Sequence, residues 1–556
     1  MFQKSTGNDT IRTLLLACDV RTQYYQSSRF VRKLLYIHQD QLNLNCFPEE
    51  LSSVDAVIMA ESVADASILP FHKKKLVLEW SARRHFASEL EKDGYDVILS
   101  QTEKTSAGFL REYLESHRDA SIVIMEPAEW TPRMEMMKLA DAFGERIRII
   151  PNTFFLADAG SWTDTVRNGY RMEFFYREIR RQTGYLMDDG KPEGGEWNYD
   201  DRNRKSLPDD ENVPESPSFT PDKITQEVMA DVNRLFPDHF GSTEGFAYAV
   251  TRKGALQVFR NFLDARLENF GPYQDAMADG EPFLFHSLIS PYLNIGLLTA
   301  REVCEAAIEA YDASKKQKTD SGKKGGGSDG NDEGDDSKTL PLNSVEGFLR
   351  QIIGWREYIR IYYEAMMPDV REANHFSYGE ELPDLYWSAD TDMNCLSQAT
   401  QSVLDHGYAH HIQRLMILSN FSNLTGSDPR RLLDWFWFAF VDAHEWVVLP
   451  NVLGMSTFAD GGVLASKPYV AGGNYINKMS NHCKSCRYNV KARTGESACP
   501  FNYLYWNFVD REHDKLKQNP RIGFMIRTWD KKGEEEKQNI REQSEVFLAE
   551  LKRYNS

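Results

Sequence analysis

The segment CKSCRYNVKARTGESACP, residues 483–500, decides how the C-terminal part of this chain is organised. Cys483 and Cys486 form a Cys-x-x-Cys pair that directs two thiols from one tight turn, and Cys499 follows a short loop later, just before a proline. Cys395, from a distant segment, completes a set of four. Four thiolates suit structural zinc or an iron–sulfur cluster. The spacing favours a metal site over unrelated buried cysteines, and it leaves both kinds of metal site open.

The composition indicates a large intracellular protein. The chain has 556 residues, 41 % of them hydrophobic, which is enough for two to four domains with substantial cores. Seven cysteines without a disulfide framework indicate a reducing compartment, and Cys18, Cys46 and Cys304 are expected to be small core residues. No apolar run has the length of a membrane span. We therefore expect a monomer that is cytoplasmic in a bacterium, or nuclear or organellar in a eukaryote, and not secreted.

The net charge of −18 excludes indiscriminate nucleic-acid binding, because neutralising phosphates requires Lys and Arg. It leaves room for a local basic groove, since much of the acid lies in solvated segments. One of these is SKKQKTDSGKKGGGSDGNDEGDDSK, residues 314–338, which lacks apolar side chains and predicts a disordered insertion over residues 313–339. The remainder of residues 223–550 has helical patterns, and we predict an all-α domain there.

Upstream, short apolar runs alternate with helical patterns between residues 34 and 155. This alternation predicts an α/β domain with a mostly parallel, Rossmann-like sheet. No G-x-G-x-x-G follows the first run, so the dinucleotide fingerprint is absent. Residues 1–33 are an N-terminal extension and residues 156–222 a connector. The apolar runs are Leu34–His38, Ala56–Met59, Leu76–Leu78, Val97–Leu99, Ile122–Met125 and Ile147–Ile150.

Four segments of the helical part carry reactive side chains. The run from His286 to Gly296 has hydroxyls and backbone N–H groups ahead of a helix, which suits a pyrophosphate, although a simple helix N-cap explains it as well. Residues 348–358 form an amphipathic pattern with paired aromatic and guanidinium groups. In residues 410–420, His411 and Arg414 are three apart on one helical face. The fourth segment spans residues 434–451. Individually, each is also explained by core packing or by ordinary ion pairs.

Taken in order, these segments resemble the photolyase/cryptochrome family. The pattern S-x-x-S-P-Y-L-x-x-G from Ser287 resembles its flavin-phosphate segment, and RQIIGWREY (350–358) its second flavin and lesion helix. The sequence HHIQR (410–414) resembles the helix that borders the flavin ring and the lesion. The chain is most similar to the iron–sulfur bacterial cryptochrome/photolyase branch, which contains bacterial (6-4) photolyases. The segments carrying this closer resemblance are AHHIQRLM (409–416), LPNVLGMS (449–456), KPYVAGGNYINKMS (467–480) and CPFN (499–502).

The resemblance implies an α/β antenna domain, a larger all-α FAD-binding domain and a [4Fe–4S] cluster on the four cysteines. It also implies a 6,7-dimethyl-8-ribityllumazine antenna, with Asp40 and Asp65 as contacts, although relatives carry Glu where Asp65 stands. Trp387 and Trp435 resemble the residues that re-reduce photo-oxidised flavin, and Phe436 stands where a relative has tyrosine. The residues implied at the FAD site are His286, Ser287, Leu288, Ser290, Arg356, Arg414, Asp442 and Asn451.

The implied activity is light-dependent repair of UV-damaged DNA, with (6-4) photoproducts as the expected lesion. Reduced FAD would supply the electron, and Arg414, paired with Asp442, would hold the flavin ring. His411, beside His410, is the expected proton donor. Leu415 stands where animal (6-4) enzymes have a second histidine, so a mechanism with two histidines at that spacing is excluded. The alternative function is a blue-light receptor that signals through flavin photoreduction.

Overall fold

The computed structural model describes residues 32–47, 51–324 and 339–554. Its N-terminal part contains a five-stranded, all-parallel sheet of strand order β3-β2-β1-β4-β5. The central strand β1 aligns Leu34 with Ala56 on one side and with Ile122 on the other. The predicted parallel α/β sheet is thus confirmed. The strands are β1 (Arg32–Tyr36), β2 (Ala56–Ser62), β3 (Val97–Thr102), β4 (Ala120–Met125) and β5 (Ile147–Ile150).

Four helices accompany the sheet: α1 (Val63–Ala66), α2 (Lys73–Lys92), α3 (Ser106–Ser116) and α4 (Trp130–Phe143). One predicted apolar run, Leu76–Leu78, lies inside α2 and is not a strand. A run of three apolar residues does not distinguish a buried strand from a buried helix. Here the run is buried because α2 faces the helical part as well as the sheet. One contact with the helical part is the hydrogen bond of 2.6 Å from the Lys75 ammonium to the carbonyl of Ala443.

Helices make up most of the remaining chain. Their bounds are α5 (Thr163–Arg167), α6 (Met172–Thr183), α7 (Lys223–Leu235), α8 (Arg252–Asn261), α9 (Leu267–Tyr273), α10 (Ser290–Asn294), α11 (Ala300–Lys324), α12 (Leu342–Leu349), α13 (Glu357–Met366), α14 (Leu385–Ser388), α15 (Asn394–His406), α16 (His411–Gln413), α17 (Asn420–Thr425), α18 (Pro429–Ala439), α19 (Glu445–Leu449), α20 (Gly473–Met479), α21 (Pro500–Arg511), α22 (His513–Leu516), α23 (Gly523–Asp530) and α24 (Glu534–Tyr554). A two-stranded ribbon, β6 (Met187–Asp188) and β7 (Lys191–Pro192), follows α6. Among the described residues, no helix is both long and apolar enough to span a membrane.

The predicted disordered insertion, residues 313–339, is described only in part, and it stays a prediction. Helix α11 continues to Lys324, and the first part of the insertion is rich in Lys, a good helix former. Lys315 also anchors this turn through ion pairs to Glu193 and Asp312, each 2.8 Å long. Residues 325–338 lie outside the described part of the chain, as do residues 1–31 of the predicted extension. The limits 34–155, 156–222 and 223–550 stay predictions.

Within the described residues, four stretches of π-helix interrupt the regular helices. Such stretches are rare and are frequently found at functional sites, because the wider turn redirects side chains. Three of the four contribute lining residues to a single large cavity. The stretches are Phe262–Arg266, Arg350–Arg356, Arg414–Ser419 and Pro450–Ser456, of which the last three line the cavity.

Candidate functional site

The large cavity lies in the helical part and has a volume of about 1020 Å³. Its wall contains every residue that the sequence assigned to FAD, together with both candidate catalytic histidines. These residues range from His286 to Asn451 along the chain, so only the fold brings them together. The assigned residues in the wall are His286, Ser287, Leu288, Ser290, Arg356, His410, His411, Arg414, Asp442 and Asn451.

The segment before α10 turns sharply at the cavity. Leu288 has φ +57°, a left-handed conformation that is strained for a residue with a Cβ and that concentrates at functional sites. The Ser290 hydroxyl donates to the Asp442 carboxylate at 2.7 Å, and the Asn294 amide donates to the Asp442 carbonyl at 2.8 Å. Ser290 therefore holds Asp442 in place, and its contact with the flavin phosphate stays a prediction.

Arg414 and Asp442 form a bidentate ion pair, with N···O distances of 3.0 and 3.1 Å. The Arg414 Nε group donates to the Ala409 carbonyl at 2.6 Å, and the guanidinium lies 4.2 Å from the centre of the Phe440 ring. Bidentate geometry with a stacked ring fixes the guanidinium plane as well as its charge. The cavity wall thus contains a rigid positive group.

Arg356 is held between two aromatic rings, 4.8 Å from the centre of Phe155 and 5.0 Å from that of Trp446. Burial lowers the pKa of Arg356, and its Nε has no hydrogen-bond partner. The indole nitrogen of Trp446 and both ring nitrogens of His410 are also buried without partners. Buried polar atoms that line a cavity are normally satisfied by a ligand or by water. These donors therefore fit a large polar cofactor.

Three imidazoles meet at one side of the cavity. The rings of His286 and His410 are stacked with centroids 4.5 Å apart, and His411 lies edge-on to His286 at 5.5 Å. Burial lowers the pKa of His286 to about 3, and burial followed by the neighbouring imidazoles lowers the pKa of His410 well below its usual range. Both rings are consequently neutral near pH 7. The nitrogen atoms of the three residues approach to within 4.8 Å, but the parallel planes of His286 and His410 do not direct their lone pairs to one ion.

His411 differs from the other two histidines in exposure and in its partner. Its side chain is 48 % exposed, and its Nε2 lies 3.4 Å from a carboxylate oxygen of Asp275. Asp275 was not identified from the sequence, because it is 136 residues away and belongs to no recognisable motif. His411 is thus the imidazole of this group that is suited to donate a proton.

The two candidate electron carriers lie behind the cavity wall. Trp435 is fully buried, Trp387 is 45 % exposed, and neither lines the cavity, whereas Phe436 does. Their rings are linked by Tyr386, whose centroid lies 5.0 Å from Trp435 and 6.5 Å from Trp387. The Tyr386 hydroxyl donates to the Leu418 carbonyl at 2.7 Å. The sequence did not identify Tyr386, although its position next to Trp387 was a possible signal.

The four cysteines come together as the spacing predicted. Cys395, Cys483, Cys486 and Cys499 line one small cavity whose wall is mostly apolar. The pKa of Cys395 is raised well above its usual range by burial and then by the other three cysteines, and burial raises the pKa of Cys499 to about 12. Four thiols in this environment do not ionise together unless a cation balances their charge. The donor set therefore fits a metal centre.

The two predicted antenna contacts are engaged within the α/β domain. One oxygen of Asp40 pairs with the His38 ring at 2.7 Å, and the other accepts from the Ala128 N–H at 3.2 Å. Asp65 accepts two hydrogen bonds from Ser106, at 2.9 and 2.7 Å. Neither carboxylate lines either of the two cavities described above. Both side chains already have hydrogen-bond partners within the domain, and the predicted antenna contacts stay predictions.

Comparisons with known proteins agree with the motifs. A family model described as deoxyribodipyrimidine photo-lyase-related protein matches residues 35–248. The (6-4) photolyase of Agrobacterium fabrum is 44 % identical over 504 residues, which cover 89 % of this chain and 95 % of that protein.

Two solved structures show the same fold at low sequence identity. A bacterial class III photolyase from Agrobacterium tumefaciens has a TM-score of 0.54 and 14 % identity, with 82 % of this chain and 88 % of that chain covered. A cryptochrome from Synechocystis sp. PCC6803 has a TM-score of 0.52 and 11 % identity, with 90 % and 88 % covered. With an identity of 44 % over nearly the whole length of the A. fabrum enzyme, the chain belongs to the photolyase/cryptochrome family, in its bacterial (6-4) photolyase branch.

Proposed function

We propose that this protein repairs UV-induced (6-4) photoproducts in DNA in a light-dependent reaction with FAD. The observation that carries the proposal is the position of His411. It is an exposed imidazole with a carboxylate partner, in the same cavity as every predicted flavin residue. The (6-4) photolyase that is 44 % identical over most of the chain supports the choice of lesion.

The cavity residues would hold FAD in distinct ways. The Arg414 guanidinium, fixed by Asp442, would place positive charge beside the flavin ring, and Arg356 would offer its unpartnered Nε. The neutral His410 would offer ring nitrogens that have no partner within the protein. When bound, FAD supplies light absorption and transfer of one electron to the lesion.

His411 would hold a proton on Nε2 and donate it to the lesion. A general acid must be protonated before the reaction, and the Asp275 carboxylate lies 3.4 Å from Nε2 of His411, where it orients the ring. His286 and His410 are neutral, so they do not add a second positive charge beside it. His411 is the exposed imidazole of this group, the one that a nucleotide can reach.

A damaged base must leave the duplex to approach His411. Leaving the stack costs less for a damaged base than for an intact one, which favours entry of the lesion. Cationic side chains line the cavity and would contact phosphates, although the net charge of the chain is negative. These side chains are Arg177, Arg204, Lys467 and Arg521.

The four cysteines would hold a [4Fe–4S] cluster with a structural role. Cys395 lies in the first turn of α15, Cys499 precedes α21, and the Cys483–Cys486 turn follows α20, so one metal centre would join three helices. Metal analysis separates this centre from zinc, since a cluster gives about four iron atoms per chain. Stoichiometric zinc with little iron after anaerobic purification would overturn the cluster.

The function is tested with pre-reduced protein and oligonucleotides that carry either a (6-4) photoproduct or a cyclobutane dimer. We expect blue light to restore the (6-4) substrate and no repair in the dark. Asp275→Asn should lower (6-4) repair, because it changes the partner that orients the His411 ring. Flavin-loaded protein that repairs neither lesion in the light would overturn the proposal and favour a receptor.

A further inference from the structure

One carboxylate, Asp279, contacts the residues that precede three of the four cysteines. It accepts from the Asn394 amide at 3.0 Å and from the Ser485 hydroxyl at 2.9 Å, and it pairs with the ring of His482. Each of these three partners comes immediately before a cysteine of the set in the sequence. Asp279 is thus a common anchor for two separate cysteine-bearing segments.

The anchor is reinforced by contacts among its partners. Asn394 also donates to the His482 carbonyl at 3.0 Å and to the Ser485 hydroxyl at 3.1 Å. The backbone N–H of Asp279 donates to the Asn481 side chain at 2.8 Å. The His482 side chain is 1 % exposed, so loss of its partner would leave a buried polar group unsatisfied.

The same stretch of chain reaches the large cavity four residues earlier. Asp275 faces His411, and the Gln274 carbonyl lies 3.1 Å from Nε2 of His286. Between the two ends, the Met277 N–H donates to the carbonyl of Met479 at 2.9 Å. Residues 274–279 therefore connect the imidazole group with the cysteine segments through a short, hydrogen-bonded path.

We propose that Asp279 is a positioning residue that orders the cysteine segments and, through residues 275–279, the edge of the cavity beside His411. The proposal rests on the metal site proposed above. Partners that orient metal ligands without touching the metal typically change metal affinity by about 10–100-fold when they are removed. Because the path is short, displacement of Asp279 also displaces Asp275 and weakens binding of damaged DNA.

The test compares Asp279→Asn with Asp209→Asn. Asparagine keeps the size of the side chain but turns an N–H₂ group toward groups that donate to Asp279. Asp209 is the matched control, because it pairs with Lys484 on the same cysteine turn at 2.7 Å while its side chain is 77 % exposed. We expect Asp279→Asn to lose iron to a chelator about tenfold faster than wild type or faster, and Asp209→Asn to match wild type.

A second readout is the affinity for a (6-4) oligonucleotide in the dark, which requires no photochemistry. It should fall in Asp279→Asn and not in the control. Ser485→Ala removes the hydrogen bond to Asp279 and the one accepted from Asn394, at an exposed position, and should show smaller changes in the same direction if Asp279→Asn fails to fold. Wild-type protein without metal would overturn the metal site itself. Metal-loaded wild type with variants that keep iron and DNA affinity would overturn only the role of Asp279.

Discussion

The helical and α/β parts both carry side chains that the sequence motifs assign to a ligand, but the two parts leave them in different states. In the helical part, Arg356, His410 and Trp446 have buried polar atoms without partners beside a cavity of about 1020 Å³. In the α/β part, Asp40 and Asp65 already accept hydrogen bonds within the domain. A ligand site requires free hydrogen-bonding capacity and space, in addition to the expected residue types.

The largest effect on repair should come from His411, the exposed histidine of the large cavity. His411→Asn should keep FAD and lower (6-4) repair about 100-fold, because the general acid is lost. Repair of a (6-4) oligonucleotide by pre-reduced protein under blue light measures this. His513→Asn is the matched control, since His513 also pairs with an aspartate, Asp530, at 2.9 Å but lies outside the cavity wall. Near-normal repair by His411→Asn would remove it from the mechanism.

The next effect concerns the aromatic path formed by Trp435, Tyr386 and Trp387 behind the wall of the large cavity. Trp435→Phe and Trp387→Phe should strongly slow photoreduction of oxidised flavin with a thiol donor, while repair by chemically reduced protein survives. If these residues only fill space, the substitutions change stability by about 1–3 kcal/mol and leave photoreduction unaffected.

Tyr386 sharpens this test, because its ring lies between the two indoles. Its hydroxyl donates to a backbone carbonyl, which is a poor proton acceptor, so we expect the ring to act as a bridge that keeps its proton. Tyr386→Phe should then photoreduce like wild type and Tyr386→Leu slowly. Equal loss in both variants would instead make the hydroxyl essential.

A moderate effect on stability is expected in the α/β part, at Glu129. It accepts from the Glu445 N–H at 2.6 Å, and burial raises its pKa to about 7. An acid with a raised pKa in the folded state contributes stability that is complete below its unfolded pKa of about 4.3 and is lost as the pH rises to about 7. Glu129→Gln keeps the acceptor and removes this titration.

The variant should therefore be more stable than wild type at pH 7 by about 1–3 kcal/mol, with little difference near pH 4.5. Urea unfolding at both pH values measures the change, and Glu535→Gln, at an exposed position of α24, serves as control. A constant difference between wild type and Glu129→Gln across this range would show that Glu129 does not titrate as described.

The smallest effect is expected from the antenna. Because Asp40 and Asp65 are engaged, purified protein should contain FAD without stoichiometric 6,7-dimethyl-8-ribityllumazine. Adding this lumazine should leave the wavelength dependence of repair unchanged. Recovery of one lumazine per chain would contradict this expectation, since it would show that the His38–Asp40 pair opens for a ligand.

The sequence by itself determined the features that depend on residues close together in the chain. The alternation of apolar runs predicted the parallel sheet, because strand periodicity and burial are properties of short segments. The cysteine spacing predicted the four-cysteine site, and short motifs identified every assigned residue of the cavity wall. In each case the required chemistry is carried by residues close together in the chain, or by a motif that is recognisable without its partner.

The tertiary structure decided which side chains meet and which remain free. Asp275 faces His411 across 136 residues, Tyr386 lies between the two tryptophans, and Asp279 ties cysteine segments that are distant in sequence. The pairing of Asp40 with His38 is local in sequence, yet only the packed interior shows that both side chains are buried. Hydrogen-bonding capacity depends on all neighbours in space, and burial determines whether water can replace a missing partner.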